Sequence, residues 1–305
     1  MSRTVAMSSI AKRSGPRSGG EALLRWYRPR RKAYPWRGVR DPYAVLVSEV
    51  MLQQTQAPRV APVYAAFLER FPTVEGLASA PRAEVVRAWG GLGYNRRAVA
   101  LSEAARAMVR DHAGRVPPAP EALVRLPGVG PYTAAAVASL AFGVPVAAVD
   151  TNVRRVVTRV HLAIEPRDAP EREIVSLAGA WLDRRDPGRW NSALMDLGRE
   201  ACRQRPRCEI CPLARVCRFR ISGAVPARAP GRQGAFVGSA RQVRGAVIRA
   251  LRTHPTLTLA RLSTETGFDV GRVASAVAAL SVDGLLEVGP AAAAGRPGGR
   301  VRLAS

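Results

Sequence analysis

Four cysteines, the only ones in the chain, stand at Cys202, Cys208, Cys211 and Cys217, with five, two and five residues between them. Thiols grouped this closely have two chemistries open to them: a pair of disulfides, or shared ligation of a metal. A reducing compartment favours the second, and four thiolates suit either tetrahedral zinc or an iron–sulfur cluster. Two carboxyls stand out in a different way. Glu49 lies within the apolar run Val45-Leu46-Val47-Ser48-Glu49-Val50-Met51-Leu52, where desolvation raises a carboxyl pKa and leaves a proton to donate. Asp150 opens a helical pattern, and backbone N–H groups and the helix dipole there are expected to keep it ionised. Each has a plainer reading, as a paired structural glutamate and as a simple N-cap. The segment Leu126-Pro127-Gly128-Val129-Gly130-Pro131-Tyr132 has glycines that permit a tight hairpin, with N–H groups free to approach a phosphate at the start of the next helix. The same pattern also makes an ordinary turn between helices.

The elements that must position these groups are mainly helical. Periodicity and Gly/Pro punctuation predict helices at 43–52, 58–70, 82–89, 97–111 and 131–141, then one opened by Asp150 whose Val153, Val156, Val157 and Val160 share a face, and two more at about 170–182 and 191–200. The first 20 residues are rich in Ser, Arg and Gly and are expected to be disordered. Residues 223–238, rich in Pro, Gly, Ala and Arg, read as a linker. Beyond them, 239–254, 257–265 and a stretch after Asp269 read as three helices. A two-stranded hairpin at 285–288 and 300–303, with a Gly- and Ala-rich loop at 289–299, completes a winged-helix-like pattern.

The chain has 305 residues, 47 Lys plus Arg against 23 Asp plus Glu, and a formal charge of +24. Such an excess in a chain that is 47% hydrophobic, and so able to fold, implies a polyanionic partner, nucleic acid before a membrane surface. Only Lys12 and Lys32 are lysines, so the charge is arginine, which also follows from a GC-rich genome. No apolar run approaches the roughly 18 residues of a spanning helix, and the polar start has no leader-like apolar region. The expectation is a cytoplasmic, nucleoid-associated bacterial protein, monomeric and without membrane contact.

The run Ser48-Glu49-Val50-Met51-Leu52-Gln53-Gln54-Thr55-Gln56, Gly91-Leu92-Gly93-Tyr94, the hairpin, Val149-Asp150-Thr151-Asn152-Val153 and the four cysteines occur in this order. In that order they resemble adenine DNA glycosylases of the MutY type, in the helix-hairpin-helix superfamily, over about residues 21–220. The resemblance implies a two-lobed helix-hairpin-helix glycosylase fold across 21–222 with its cluster loop at 202–217, followed by the linker and the small C-terminal winged-helix-like domain at 239–305. It implies a monofunctional enzyme that removes adenine mispaired with guanine or 8-oxoguanine from double-stranded DNA. Glu49 would protonate N7 of a flipped adenine and Asp150 would stabilise the cationic sugar, as an acid and a carboxylate with separated pKa values should. Relatives similar to endonuclease III carry an amine-forming lysine where Tyr132 stands here, so Schiff-base chemistry is not expected, and Tyr132 would add to stabilisation of the sugar. A target base must leave the stack. The resemblance makes Gln54 and Tyr94 the wedges, Gly128 and Gly130 the phosphate-facing hairpin, and Trp36, Arg37 and Asn152 the pocket lining, although Trp36 and Tyr94 also read as core aromatics and Asn95 stands where relatives have a second tyrosine.

By the same resemblance the cysteines bind a [4Fe-4S] cluster, with Arg203, Arg205, Arg207 and Arg218 meeting the DNA backbone. The first gap is one residue short of the usual, and zinc remains open. Two rival readings stay in view: a thymine or uracil mismatch glycosylase on the same scaffold, and a non-catalytic DNA-binding regulator using the C-terminal part. Nothing resembles the larger strand-rich domain that many such enzymes carry at their C-terminus. Of the basic residues there, Arg241, Arg244, Arg249, Arg272, Arg296 and Arg300 are candidates for phosphate contact, and a packing role reads equally well.

Overall fold

A computed structural model describes residues 19–30, 34–227 and 234–305. The N-terminal stretch expected to be disordered lies outside the described residues except for Gly19 and Gly20, and so does the middle of the 223–238 linker.

Asp41 accepts a hydrogen bond from the Tyr43 amide at 3.1 Å and Pro42 occupies the first helical position, which starts α2 (Pro42–Leu52) after the short N-terminal α1 (Gly20–Tyr27). Every residue of α2 from Tyr43 to Met51 is buried, as a helix apolar on all sides requires. Around it pack α3 (Ala57–Arg70), α4 (Val74–Ser79), α5 (Arg82–Ala88), α6 (Arg96–His112) and the single turn α7 (Pro120–Leu123). Their core includes Leu46, Phe67, Trp89, Leu101 and Met108. The periodicity did not disclose α4, because six residues are too few to display a period. What starts it is Thr73, whose hydroxyl accepts from the Gly76 amide at 3.1 Å.

A second core gathers α1, α9 (Thr151–Leu162), α10 (Glu171–Ala180) and α11 (Pro187–Glu200) around Leu23, Trp26, Val156, Val157, Trp190 and Leu197. The chain thus enters through one lobe, builds the other, and returns. Between the lobes runs α8 (Pro131–Phe142), with Ala134, Val137 and Ala138 in the first core and Ala135 and Ala136 against Ala148 and Met195 on its other side. Its alanines let the two lobes approach closely. After the cysteine segment, α12 (Arg218–Ile221) packs on α9.

The C-terminal unit contains α13 (Ala240–Thr253), α14 (Leu259–Thr266), α15 (Val270–Val282) and the turn α16 (Pro290–Ala293). Its sheet has three strands rather than the expected two. β1 (Leu257–Thr258), read from sequence as the start of a helix, pairs antiparallel with β3 (Arg300–Leu303), which also pairs with β2 (Leu286–Val288). Only the arrival of β3 across more than forty residues makes Leu257 and Thr258 a strand. Three of the arginines considered for phosphate contact serve the fold: Arg244 pairs with Asp283, Arg241 donates to the Gly234 carbonyl at 2.7 Å, and Arg272 lies over Phe268 and donates to the Gly238 carbonyl at 2.6 Å.

This unit is docked on the first lobe. Val86 of α5, 1% exposed, belongs to its core, with Ala83 and Val99 packed alongside. Arg82 donates to the Gly284 carbonyl at 3.1 Å, and Arg96 approaches Asp283 at 3.7 Å. Val86→Asp would strand a carboxyl in that apolar seam and is expected to lower stability by at least about 2 kcal/mol. Chemical denaturation measures the loss, and faster proteolysis within 223–238 should accompany it; an unchanged denaturation midpoint would show that the docking contributes nothing.

Candidate active site

A cleft of about 1800 Å³ opens between the two lobes, above the usual volume of a small-molecule pocket. Glu49 from α2, Tyr132 from the start of α8 and Asp150 from the cap of α9 all line it, together with Trp36, Arg37, Asn152 and Gln54. Residues distant in sequence are therefore brought together as expected. Tyr94, Gly128 and Gly130 lie outside the cleft lining: Tyr94 stands 52% exposed nearby, and the glycines form the hairpin leading into α8.

Glu49 is 6% exposed. Burial pushes its pKa up, the Asp150 charge pushes the same way, and a hydrogen bond from Tyr132 and the charge of Arg37 oppose it. The Tyr132 hydroxyl donates to Glu49 Oε2 at 2.8 Å and also reaches Met195 Sδ at 3.6 Å. Burial and the neighbouring carboxylates keep the phenol itself protonated, well above its ordinary value.

Asp150 caps α9 as the sequence predicted, accepting at Oδ1 from the Asn152 and Val153 amides at 2.9 and 2.7 Å and at Oδ2 from Asn152 Nδ2 at 2.8 Å. Its pKa nevertheless moves up, because burial outweighs the cap bonds and the Arg155 charge. The sequence reading expects the cap to keep Asp150 ionised and the two carboxyls to differ in pKa; burial raises both. The difference between them lies in their donors, since three N–H groups favour the Asp150 anion while Tyr132 alone serves Glu49.

Trp36 combines the two roles weighed for it. It faces the cleft and stacks on Tyr34 with ring centroids 5.0 Å apart, while its edge meets Tyr64 in the core. Gly128 needs its glycine, with φ of 76° and the Ala100 Cβ only 2.7 Å from where a Cβ would sit. Gly130 has an ordinary φ and open space beside it, which leaves the helix start accessible to a ligand.

Sequence reading missed several residues that hold this site. Asp196, whose side chain is 3% exposed, lines the cleft and pairs with Arg37 at 2.7 Å and Arg199 at 2.9 Å. An aspartate set within the apolar stretch Ala193-Leu194-Met195-Asp196-Leu197 of α11 was the available signal. Asn191 is fully buried and takes the Ala148 amide while donating to Ser139 and to the Val146 carbonyl, which fixes the segment leading to Asp150. Arg155 donates to Asn152 Oδ1, the Gly198 carbonyl and the Cys202 carbonyl, so the support of Asp150 extends to the cysteine segment.

No disulfide joins the four cysteines. All line one small apolar cavity with Leu197, Leu213 and Phe219, and burial pushes Cys202, Cys217 and, to about 12, Cys211 upward. Arg159, 1% exposed, donates to Cys202 Sγ at 3.8 Å and to the Arg203 carbonyl, while its own carbonyl accepts from Cys217 Sγ. Its buried cation sits where clustered thiolates need one. Among the described residues no group of His, Cys, Asp or Glu is drawn into ready-made ion-binding geometry. Arg218 bonds the His161 carbonyl and Arg207 pairs with Glu209.

The fold is thus two helical lobes with a pair of buried carboxyls, Glu49 and Asp150, lining the cleft between them. Residues 47–178 match the family model of the HhH-GPD superfamily of base excision DNA repair proteins. Over 269 residues the chain is 42% identical to an adenine DNA glycosylase of Mycolicibacterium smegmatis, covering 87% of this chain and 91% of that one. Among solved structures it is similar to a thermostable thymine-DNA glycosylase (TM-score 0.62, 33% identity, 66% of this chain and 94% of the other) and to endonuclease III in a non-covalent DNA complex (TM-score 0.57, 27% identity, 67% and 95%). The chain belongs to the HhH-GPD superfamily of base excision DNA repair proteins, in its adenine DNA glycosylase family.

An acid whose pKa rises on folding is favourable while protonated, and that contribution is lost as pH rises through the raised value. Glu49→Gln, which cannot ionise, should therefore melt above the parent protein at alkaline pH, by about 2–4 °C for each kcal/mol relieved. The gap should close as pH falls below the ordinary glutamate value of about 4.3. Calorimetry across that range checks the sign, and a gap that does not widen with pH contradicts a buried, ionisable Glu49.

Proposed function

We propose that this chain hydrolyses the N-glycosidic bond of adenine mispaired with guanine or 8-oxoguanine in duplex DNA. The observation that carries the reading is a buried carboxyl, Glu49, held by the Tyr132 hydroxyl in the same cleft as Asp150. Glu49 delivers its proton to N7 of the extruded adenine. The C1′–N9 bond breaks with its electron pair leaving on N9, and Asp150 faces the positive charge that develops on the sugar. The hydrogen bond from Tyr132 stabilises the Glu49 carboxylate left behind. Water then adds at C1′ and loses a proton. With Tyr132 in place of an amine, no covalent imine forms. Gln54 and Tyr94 enter the duplex, Gly128 and Gly130 meet a phosphate, and Trp36, Arg37 and Asn152 line the base pocket.

Cys202, Cys208, Cys211 and Cys217 would hold a [4Fe-4S] cluster, supported by their shared cavity and the buried Arg159. A cluster held there would supply a fold-stabilising crosslink, and no step of the bond cleavage proposed above runs through it. The glycosylase function is assigned to 21–222 with the cluster loop at 202–217, and the winged-helix-like unit at 239–305 is assigned to backing the first lobe. We further place the enzyme in the bacterial cytoplasm, at the nucleoid, as a monomer. No helix among the described residues is long and apolar enough to cross a membrane.

Single-turnover assays on duplexes with A opposite 8-oxoguanine, A opposite G, T opposite G and U opposite G test the assignment. Free adenine is expected from the first two. Release of thymine or uracil instead would establish the mismatch-glycosylase alternative, and release of no base the regulator reading. In the same assay Glu49→Gln should lose at least about a hundredfold in rate while still binding DNA.

The purified protein should be brown, absorb broadly in the visible and contain about four irons per chain. Metal analysis finding one zinc and no iron would refute the cluster. Cys208→Ser is expected to lower stability and DNA affinity more than the excision rate.

A further inference from the structure

Arg97 lies near the start of α6, outside the cleft and outside the chemistry proposed above. Its guanidinium ties separate stretches together. Nη1 donates to the carbonyls of Val50 (3.0 Å), Met51 (2.7 Å) and Gln53 (2.5 Å) at the C-terminal end of α2. Nη2 donates to Thr55 Oγ1 (2.9 Å) and to the Gly93 carbonyl (3.1 Å), and Nε to the Tyr94 carbonyl (3.4 Å). The same group lies 5.4 Å from the ring centroid of Trp89 and 5.6 Å from that of Tyr94. The last carbonyls of a helix lack intrahelical partners, and a cation there is also favoured by the helix dipole. Burial lowers the Arg97 pKa to about 10, which leaves it charged at neutral pH.

Four non-glycine residues among those described have positive φ. Ala113 and Ala163 are left-handed C-caps of α6 and α9, a common way for helices to end. Of the other two, Gln54 at 54° sits in a turn after α2 closed by the Thr55 amide on the Leu52 carbonyl at 3.2 Å, and Tyr94 at 48° directly precedes the cap of α6. A side chain held in this region costs on the order of 1 kcal/mol or more and persists only where its surroundings impose it. Arg97 is part of those surroundings at both positions: it grips Gln53 and Thr55 on either side of Gln54, and Gly93 and Tyr94 themselves. Gln54 opens onto the cleft and Tyr94 onto solvent. Gln53 carries the connection on to the hairpin, donating to the Gly128 carbonyl at 3.3 Å and Thr133 Oγ1 at 3.2 Å.

We infer that Arg97 is a positioning residue that locks Gln54 and Tyr94 into one two-pronged unit on the end of the Glu49 helix, so that opening a base pair and presenting the acid share one rigid frame. The inference rests on the proposed function, in which the target base must be drawn from the stack. Lysine cannot replace Arg97, because a single ammonium cannot span carbonyls on both stretches.

The test places 2-aminopurine, whose fluorescence rises on unstacking, at the target position. It stands opposite thymine in one duplex and opposite an abasic-site analogue in another, where no pairing has to be broken. The quantity read is the ratio of extrusion rates between the unpaired and paired duplexes. Arg97→Lys is expected to widen that ratio at least tenfold, equivalent to about 1.4 kcal/mol and within the range lost with a charge-assisted hydrogen bond. Thr55→Val, which removes one acceptor, should widen it at least twofold. Arg97→Lys added to a Gln54→Ala, Tyr94→Ala double variant should widen it by less than twofold beyond that double variant alone, because Arg97 acts through those two prongs. A ratio unchanged in Arg97→Lys, or full additivity with the Gln54→Ala, Tyr94→Ala double variant, overturns the inference; if Arg97→Lys does not fold, an unchanged ratio in Thr55→Val overturns it. Adenine release by the unmodified protein, measured in parallel, separates the two claims, since a protein that extrudes the base yet frees no adenine sinks the proposed function and leaves the fluorescence comparison standing.

Discussion

The hydrogen bond from the Tyr132 hydroxyl to Glu49 crosses the seam between α2 and α8, and much of the architecture follows from the need to make it. A carboxyl whose pKa is raised must be withdrawn from water, yet one that is to act on a substrate must also face the cleft. The seam between the two cores meets both demands, because it is packed on the protein side and open on the cleft side. The alanines of α8 set how closely the lobes meet, and Asn191 fixes the segment that delivers Asp150 to the other wall.

Arginine does more inside this protein than its surface charge suggests. Arg97, Arg155 and Arg159 each hold backbone carbonyls from separate stretches, and Arg37 joins Tyr27 on α1 to Asp196 on α11. A planar cation with several fixed donors can satisfy carbonyls that no helix or sheet provides for. The formal charge of +24 therefore overstates what is available to a polyanion, because part of it is consumed in holding loops and helix ends. The C-terminal unit makes the same point: Arg82, Arg96 and Arg244 converge on the Asp283–Gly284 turn. Its docking covers Val86 on α5, the helix immediately before the segment that carries Tyr94, so the unit backs the part of the first lobe proposed to meet DNA.

The residues able to do chemistry were legible in the sequence because each carries a local signature: a glutamate among apolar neighbours, an aspartate opening a helix, paired glycines, cysteines found nowhere else. The long helices were legible as well, since apolar period and capping residues are local, and their ends fell within a few residues of those seen. What the sequence could not show depends on partners far away in the chain. Asp150 judged by its cap alone has its pKa lowered, and only the depth of the cleft shows that burial outweighs those bonds and moves it up. Leu257 and Thr258 become a strand only because β3 reaches them. Asp196 and Arg97 resemble ordinary helical charges until the carbonyls and guanidinium groups they meet arrive from other elements. The sequence by itself determined which groups are present and which helices carry them, because those follow from propensity and period within a few turns. The tertiary structure alone decided their proton affinities and their orientation, because desolvation and buried hydrogen bonds are set by whatever packs around a group.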